Sequence, residues 1–287
     1  MRHRSCSNRP MRRRLQLLAI ATVLGLQCRG GRGDGQGDAA GSVDGGSRTV
    51  VLPPEGAPFD YQIGGDYPPP AGVRVVSRDR GGEPAPGLYS ICYVNGFQTQ
   101  PGEGDFWLTG HPDLVLRDSG GQPVVDPNWH GEMLLDITSA AKRSAILEIE
   151  TAWIQGCAQK GFDALEVDNL DTYSRSDGRI AEDQAVAMIR ALSDVAHAAG
   201  LAVAQKNSSE IAGRKAEMGT DFAVSEECNT YHECYVYQSA YGNHVLVIEY
   251  EKASFDQGCR AYPELSIVLR DLEVSAQGSA NYVYEGC

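Results

Sequence analysis

The side chains best suited to acid–base chemistry stand near the ends of four short apolar runs. Asp168, Lys206, Glu226 and Glu249 each follow one run, and further polar residues come directly after them. The four segments occupy residues 164–169, 202–207, 222–227 and 245–250. Burying a charged group is costly unless it has a partner or a chemical task. Four such endings in succession therefore indicate a shared site that works with carboxyl groups.

Asp168 and Glu226 are the two acids that we expect to carry catalysis. Hydrolysis of a glycosidic bond needs one carboxyl group to protonate the leaving oxygen and a second to act as nucleophile or to activate water. We assign the nucleophile to Asp168 and the general acid/base to Glu226. Glu166 shares a strand face with Asp168, so repulsion between them would raise one pKa. Lys206 would counter this charge, and a simple pair with Glu166 is the alternative.

A further group of polar and aromatic side chains near strand ends is expected to bind substrate. These candidates are Asp60, Tyr93, Asn95, Asp136, Glu166, Asn169, Lys206, Asn207, Tyr231, Glu249 and Tyr250. The aromatic side chains that could stack on a sugar ring are Trp129, Tyr173, Tyr231 and Tyr241. Each candidate has an alternative role, because acids at strand ends often cap the next helix and aromatic residues often belong to the core.

Motifs for other chemistries do not occur in the sequence. There is no phosphate-binding loop, no nucleophile elbow and no His-Glu-x-x-His motif, and the cysteines lack zinc-site spacing. We therefore expect neither a metal nor a cofactor. His197 lies near the end of an Ala-rich helix, where we expect a structural role.

Alternating strands and helices must position these residues. The remaining strand candidates are 60–63, 73–77, 88–95, 133–136 and 265–269. Helices are predicted over 139–159 and 181–199, with Gly200 just past the end of the second. The alternation predicts a (β/α)₈ TIM-type barrel over residues 51–287, with its active site at the strand C-termini. Because nine strands are available, we place 265–269 outside the barrel.

The first 50 residues have a different composition from the rest of the chain. Six arginines precede an apolar stretch over 15–26, which predicts an export signal over 1–28. Cys28 is a candidate lipid anchor, and cleavage near Gly25 is the alternative. Residues 29–50 are rich in Gly, Asp and Ser and predict a flexible linker. We expect a secreted or cell-surface protein.

Charge and cysteine content constrain the partners and the compartment. The formal net charge of −13 includes the leader arginines, so their removal leaves a still more acidic chain. Such a surface disfavours nucleic acid and anionic membranes and would attract a cationic polymer. We expect a monomer with no protein partner. In an exported chain, Cys228–Cys234 and Cys259–Cys287 are candidate disulfides, whereas we expect Cys92 to be a free buried thiol.

Six short motifs, in order along the chain, resemble glycoside hydrolase family 114. They start at Asp60, Ile91, Glu166, Gln205, Glu226 and Ile248, and their sequences are DYQIGG, ICYVN, EVDN, QKN, EEC with YHEC, and IEY. The resemblance covers about residue 59 to the C-terminus. It implies a TIM-type barrel that cleaves α-1,4-linked galactosamine polymers, with a catalytic pair at Asp168 and Glu226. Val167 stands where the family motif has proline.

Two other functions are compatible with the same pattern. One is a non-catalytic surface barrel that binds carbohydrate, and the other is a hydrolase of a different exopolysaccharide. Acids at both catalytic positions favour an enzyme. Retention or inversion depends on the separation of the two carboxyl groups, which the sequence does not give.

Overall fold

The computed structural model describes residues 49–287. The predicted export signal over 1–28, with Cys28, and residues 29–48 of the predicted linker lie outside the described residues. Within 49–287, no helix has both the length and the apolar character needed to cross a membrane.

Eight parallel strands form the sheet in chain order. They are β1 Phe59–Gln62, β2 Val75–Asp79, β3 Tyr89–Asn95, β4 Ala164–Asp168, β5 Ala202–Lys206, β6 Phe222–Glu226, β7 Val245–Glu249 and β8 Ser266–Arg270. A ninth strand, β9 Tyr284–Gly286, pairs with β8 in the antiparallel sense. β8 also contacts β1, so the sheet curls into a nearly closed barrel.

The connections from β1 to β2 and from β2 to β3 contain no helix, and the later strands up to β8 are joined by helices. They are α1 Ala140–Lys160, α2 Thr172–Arg175, α3 Glu182–Ala198, α4 Lys215–Met218, α5 Cys234–Tyr241 and α6 Lys252–Ala261. The two long helices match the prediction. Ser139 caps α1 by accepting a hydrogen bond from the Lys142 backbone, and Gly161 ends it with φ 99°. Gly200 follows α3 with φ 77°, as its position predicts.

Strand side chains alternate between two cores. Tyr61, Ala204 and Ile248 belong to the core inside the barrel, whereas Leu165 and Val203 pack with the helices outside it. This two-sided burial is why the strands are nearly continuous apolar runs. The TIM-type barrel predicted from those runs is confirmed.

Two strand assignments were wrong. Leu134 and Leu135 form isolated antiparallel bridges to Gln98 and Val115, within the segment that joins β3 to α1, and they help to cover the outer core. The run over 265–269, which was placed outside the barrel, instead supplies β8, which pairs with β7. A last barrel strand needs no crossover helix after it, so the missing helix pattern was not a reason to exclude it. Residues 96–139 are called the inserted segment below.

The six cysteines of the described region form three disulfides. Cys228–Cys234 and Cys259–Cys287 are paired as predicted. The free thiol predicted at Cys92 was wrong, because Cys92 is bonded to Cys157. Cys92 is on the outer face of β3 and Cys157 is a buried residue of α1, and the two belong to one core cluster.

Candidate active site

One buried lysine lies among three carboxyl groups at the strand C-termini. The Nζ atom of Lys206 is 3.2 Å from Glu166 Oε1, 3.4 Å from Asp168 Oδ1 and 3.4 Å from Glu226 Oε2. Side chains alternate between the two faces of each strand, which explains why these four groups lie together. Glu166 and Asp168 face the barrel interior from β4. Lys206 faces it from β5, and Glu226 faces it from β6. Burial works to lower the pKa of Lys206, but the carboxylates outweigh burial and raise that pKa well above its ordinary value.

Asp168 is held in its ionised form. Tyr93 Oη donates to Asp168 Oδ2 over 2.7 Å, and the Asn169 backbone donates to Oδ1 over 2.8 Å. Burial works to raise the pKa of Asp168, but the Lys206 charge and these hydrogen bonds outweigh it and hold the pKa below its ordinary value. The side chain keeps 18% of its surface exposed. An ionised carboxylate with part of its surface exposed can act as a nucleophile.

Glu226 is fixed from two sides and remains accessible. Asn207 Nδ2 donates to Glu226 Oε2 over 2.9 Å, and Tyr250 Oη donates to Oε1. Burial, followed by the charge of Glu226, raises the pKa of Tyr250 well above its ordinary value, so the phenol stays a donor. The Glu226 side chain is 27% exposed. Asp168 and Glu226 are thus the two partly exposed acids around Lys206.

Glu166 lies beneath this pair and has no exposed surface. It accepts hydrogen bonds from Tyr61 Oη and Ser77 Oγ, each over 2.7 Å. Tyr61 Oη in turn accepts from Lys206 Nζ over 2.9 Å. Burial raises the pKa of Glu166 even though these partners favour its charged form. Glu166 therefore supports the lysine rather than contacting a substrate directly, which corrects its assignment to substrate binding.

Tyr61 and Ser77 were not identified from the sequence as site residues. They are register partners on β1 and β2. Alternate positions of a strand face the same side of the sheet. Tyr61 and Ser77 are two positions after Phe59 and Val75, which are in the core inside the barrel, so strand periodicity could have identified them. Lys206 has a buried side chain as well, so it is a support for the acids rather than the substrate-binding residue that was expected.

Three successive strands end in the same backbone turn. The residue after β4, β5 and β6 is Asn169, Asn207 and Glu227, with φ values of 64°, 52° and 57°. Asparagine adopts this left-handed conformation more easily than most residues, whereas glutamate does so at a cost of about 1 kcal/mol. The turn follows directly after Asp168, Lys206 and Glu226, so each of these three residues is the last residue of its strand.

A polar network beside Asp168 ties the inserted segment to the strand ends. Asn169 Nδ2 donates to Asn95 Oδ1 over 2.9 Å, and Asn95 Nδ2 donates to Glu132 Oε2 over 3.1 Å. Asn95 is buried and positions its neighbours. Glu132 was not identified from the sequence, because it belongs to no strand. Burial raises the pKa of Glu132 to about 7.

Three of the acids predicted to bind substrate are elsewhere. Asp60 lies between Phe59 and Tyr61 and so occupies the opposite face of β1, where Tyr67, Gln62 and Arg270 contact its buried carboxylate. Asp136 accepts from Thr138 and pairs with Lys142 at the start of α1. Its predicted strand is not in the barrel.

Glu249 shares the outer face of β7 with Val245 and Val247. It has no exposed surface and accepts hydrogen bonds from the Asn229 backbone and from Thr230 Oγ1, each over 2.8 Å. It therefore anchors the loop after β6. The next residue, Tyr250, faces the interior and reaches Glu226 instead.

The loop after β6 carries the remaining candidate, Tyr231. This side chain is exposed and hydrogen-bonds with Glu227. Burial, followed by the charges of Glu249 and Glu226, raises the pKa of Glu227. Tyr241 is buried and bonded to Gln205 Oε1 over 2.6 Å, so it offers no stacking surface. His197 is 2.7 Å from Asp221 Oδ2 beside β5, in the structural role that was expected.

Among residues 49–287, Cys228, Cys234 and Glu249 have ligand atoms close enough to surround a metal ion. The two sulfur atoms are bonded to each other, and both Glu249 oxygens already accept hydrogen bonds. This donor set does not fit a metal.

Comparisons place these features among known proteins. The model of glycoside hydrolase family GH114 matches residues 41–287. The crystal structure of Aspergillus fumigatus Ega3 in complex with galactosamine matches with a TM-score of 0.66 and 20% identity, covering 83% of this chain and 98% of that one. The glycoside hydrolase domain of PelA from Pseudomonas aeruginosa matches with a TM-score of 0.53 and 13% identity, covering 79% and 99%. At such identities the structures show a shared fold. No curated protein sequence gives a significant match.

Proposed function

The chain belongs to glycoside hydrolase family 114 and is a glycosidase, and from that premise we propose that it cleaves within an α-1,4-linked, galactosamine-containing polysaccharide. The observation that carries the proposal is the pair of partly exposed carboxyl groups, Asp168 and Glu226, on either side of the Lys206 ammonium. The likeness to Ega3, which was crystallised with galactosamine, supports the choice of sugar.

Asp168 acts as the nucleophile and Glu226 as the general acid/base. Asp168 has a lowered pKa and a partly exposed side chain, so it is ionised and accessible when substrate arrives. It attacks the anomeric carbon while Glu226 donates a proton to the leaving glycosidic oxygen. Glu226 then removes a proton from the water that hydrolyses the glycosyl–Asp168 ester, and both groups return to their starting states.

We propose that the reaction proceeds with retention of anomeric configuration, because a shared contact with Lys206 holds the two carboxyl groups close together. Asp168 Oδ1 and Glu226 Oε2 are each 3.4 Å from one nitrogen atom, and so no more than twice that distance apart. Retaining enzymes hold their carboxyl groups about 5–5.5 Å apart, and inverting enzymes about 6.5–9.5 Å apart. The upper limit for this one pair of oxygen atoms is compatible with the retaining range, which supports the proposal of a retaining mechanism.

The charge of the chain supports a cationic, partly deacetylated polymer as substrate. The formal net charge is −13, and Glu227 and Glu251 add to the negative charge beside Glu226. Long-range attraction would concentrate a polyamine sugar at such a surface. The three disulfides fit an oxidising compartment, so we propose that the enzyme works outside the cytoplasm, as a monomer.

Digestion of partly deacetylated α-1,4-polygalactosamine tests the proposal. The wild-type protein is expected to release oligosaccharides, measured as new reducing ends and identified by mass spectrometry. Asp168→Asn and Glu226→Gln keep side-chain size and should each lower kcat by at least about 10³-fold. Asp136→Asn, which changes an acid at the start of α1, is the matched control and should retain activity.

The experiment also separates the alternatives. Binding of the polymer without cleavage would contradict the proposed reaction. Cleavage of a different exopolysaccharide in a substrate panel, with loss in the same two variants, would keep the mechanism and replace the substrate. Nuclear magnetic resonance of the first product gives its anomeric configuration and decides between retention and inversion.

A further inference from the structure

The inserted segment presents one exposed tryptophan on a firmly held turn. Trp129 is 42% exposed, whereas Trp107 has no exposed surface and packs edge-to-face against Trp153 of α1. Burial of an indole is strongly favourable. An indole left in solvent on a rigid turn is therefore suited to contact something outside the chain.

Asp126 holds this turn from beneath. Its side chain has no exposed surface, and its Oδ1 atom accepts from the backbone nitrogens of Asn128 over 2.7 Å and Trp129 over 3.2 Å. Gln98 Nε2 donates to Oδ2 over 2.7 Å. The Trp129 carbonyl accepts from the Glu132 backbone over 3.1 Å. Both peptide groups of Trp129 are thus fixed.

The turn is also joined to the residues beside Asp168. Arg175 Nε lies 2.7 Å from Asp126 Oδ2, and its Nη2 atom donates to Asn169 Oδ1 over 2.9 Å. Glu132 is linked to the same strand ends by its hydrogen bond with Asn95, which is the register partner of Asp168. The tryptophan and the proposed nucleophile are therefore positioned by one continuous set of buried and partly buried polar contacts.

We propose that Trp129 is a substrate-binding residue that stacks on a sugar unit of the polymer beyond the unit being cleaved. This inference rests on the proposed function. A flat indole face packs against the C–H face of a pyranose ring, and a protonated amine adds a cation–π attraction. The turn lies on the β3–β4 side of Asp168, whereas exposed Tyr231 follows β6 on the other side. Two aromatic side chains thus flank the acid pair in strand order.

The proposal is tested by varying the length of the polysaccharide substrate. Kinetics of the wild-type protein, Trp129→Ala and Trp129→Phe are compared on long, partly deacetylated α-1,4-polygalactosamine and on its purified di- and trisaccharides. Trp129→Ala should raise KM for the polymer about tenfold while kcat changes less than about twofold. Short oligosaccharides should be processed as by the wild-type protein. Trp129→Phe should recover part of the polymer affinity.

Phe106→Ala is the matched control. Phe106 is a 45% exposed aromatic residue of the same inserted segment, and its ring contacts Trp107 and His111 rather than the Asp126 turn. This variant should behave like the wild-type protein on both substrates. Thermal unfolding of all variants checks that each is folded.

Two kinetic results would overturn the proposal: an unchanged KM for the polymer in Trp129→Ala, or an equal loss on short and long substrates. If the wild-type protein leaves the polymer intact, the proposed function fails by itself. Calorimetric titration of wild-type protein and Trp129→Ala with the polymer then decides the inference. Weaker binding by the variant supports a carbohydrate platform, and equal binding contradicts it.

Discussion

Asn207 and Glu226 exchange two hydrogen bonds across neighbouring strand ends. Asn207 Nδ2 donates to the Glu226 carboxylate over 2.9 Å, and the Glu226 backbone nitrogen donates to Asn207 Oδ1 over 2.8 Å. Asn207 does this from the left-handed conformation, with φ 52°. One asparagine therefore satisfies both the turn after β5 and the orientation of an acid on β6.

Replacement of Asn207 should separate these two roles. Asn207→Gly keeps the left-handed turn and removes both side-chain hydrogen bonds, so we expect a thermal unfolding midpoint close to that of the wild-type protein but a kcat about 10- to 100-fold lower. Asn207→Ala loses the bonds and also strains the turn, which should cost about 1 kcal/mol more in unfolding free energy. Equal activity of Asn207→Gly and wild-type protein would contradict the positioning role.

Lys206→Met should destabilise the protein and move its pH profile. The substitution leaves three carboxyl groups without their shared cation, and loss of one partner from a buried ion cluster costs about 3–5 kcal/mol. Urea unfolding measures this change. Lys142→Met is the matched control, since its pair with Asp136 is partly exposed and should be worth less than about 1 kcal/mol.

The pH dependence of the same variant has a definite sign. The folded-state pKa of Asp168 lies below its ordinary value of 3.8. The ion pair of Asp168 with Lys206 therefore stabilises the folded protein above pH 3.8, and this stabilisation is lost as the pH falls through the folded-state pKa. Without Lys206, burial dominates and the Asp168 pKa rises. The acidic limb of the kcat/KM profile should therefore shift to higher pH. An unshifted limb would show that Lys206 does not set the ionisation of Asp168.

Glu132→Gln should stabilise the protein increasingly as the pH rises above about 4.5. Folding raises the pKa of Glu132 from 4.5 to about 7, so the unfolded chain loses this proton first as pH rises. The resulting destabilisation grows from about pH 4.5 to about pH 7 and is constant above it. Glutamine can still accept from Asn95 Nδ2. After allowance for partial exposure, we expect a gain on the order of 1–2 kcal/mol at pH 8 and none at pH 4.5, measured by urea unfolding. The same gain at both pH values would exclude a proton-linked effect.

The disulfides should differ in what they stabilise. Cys92→Ala with Cys157→Ala opens a link across 65 positions and should lower the unfolding free energy by about 4 kcal/mol. Cys228→Ala with Cys234→Ala opens a link across 6 positions and should cost about 2 kcal/mol. Loss of the second pair should lower activity more, because the loop that this disulfide closes contains Tyr231 and starts directly after Glu227. Urea unfolding and kcat/KM are measured on both double variants. A larger loss of activity in the Cys92/Cys157 variant would contradict the prediction.

The sequence predicted the strand ends well because burial on both faces leaves a strong signal. The phase of each strand was harder to predict. The run Val245–Ile248 is apolar throughout, so it does not reveal that Glu249 faces the helices and Tyr250 the barrel interior. For β4, Asp168 and Glu166 were correctly expected to share one face.

Contacts made by irregular segments could not be predicted from local patterns. Glu132 belongs to the inserted segment, and its side chain accepts from Asn95, which is distant in sequence and in turn accepts from Asn169. The Cys92–Cys157 link was missed for the same reason, since an apolar run around Cys92 describes burial and says nothing of the helix that packs on it.

The repeated left-handed turn after β4, β5 and β6 has a consequence for enzyme engineering. Asn169, Asn207 and Glu227 adopt this conformation with φ values of 64°, 52° and 57°, after an aspartate, a lysine and a glutamate. The turn residues also bond the acids, since the Asn169 backbone donates to Asp168 Oδ1 and Asn207 exchanges two hydrogen bonds with Glu226. An engineered side chain at position 168 or 226 therefore has to be chosen together with the turn residue that bonds it.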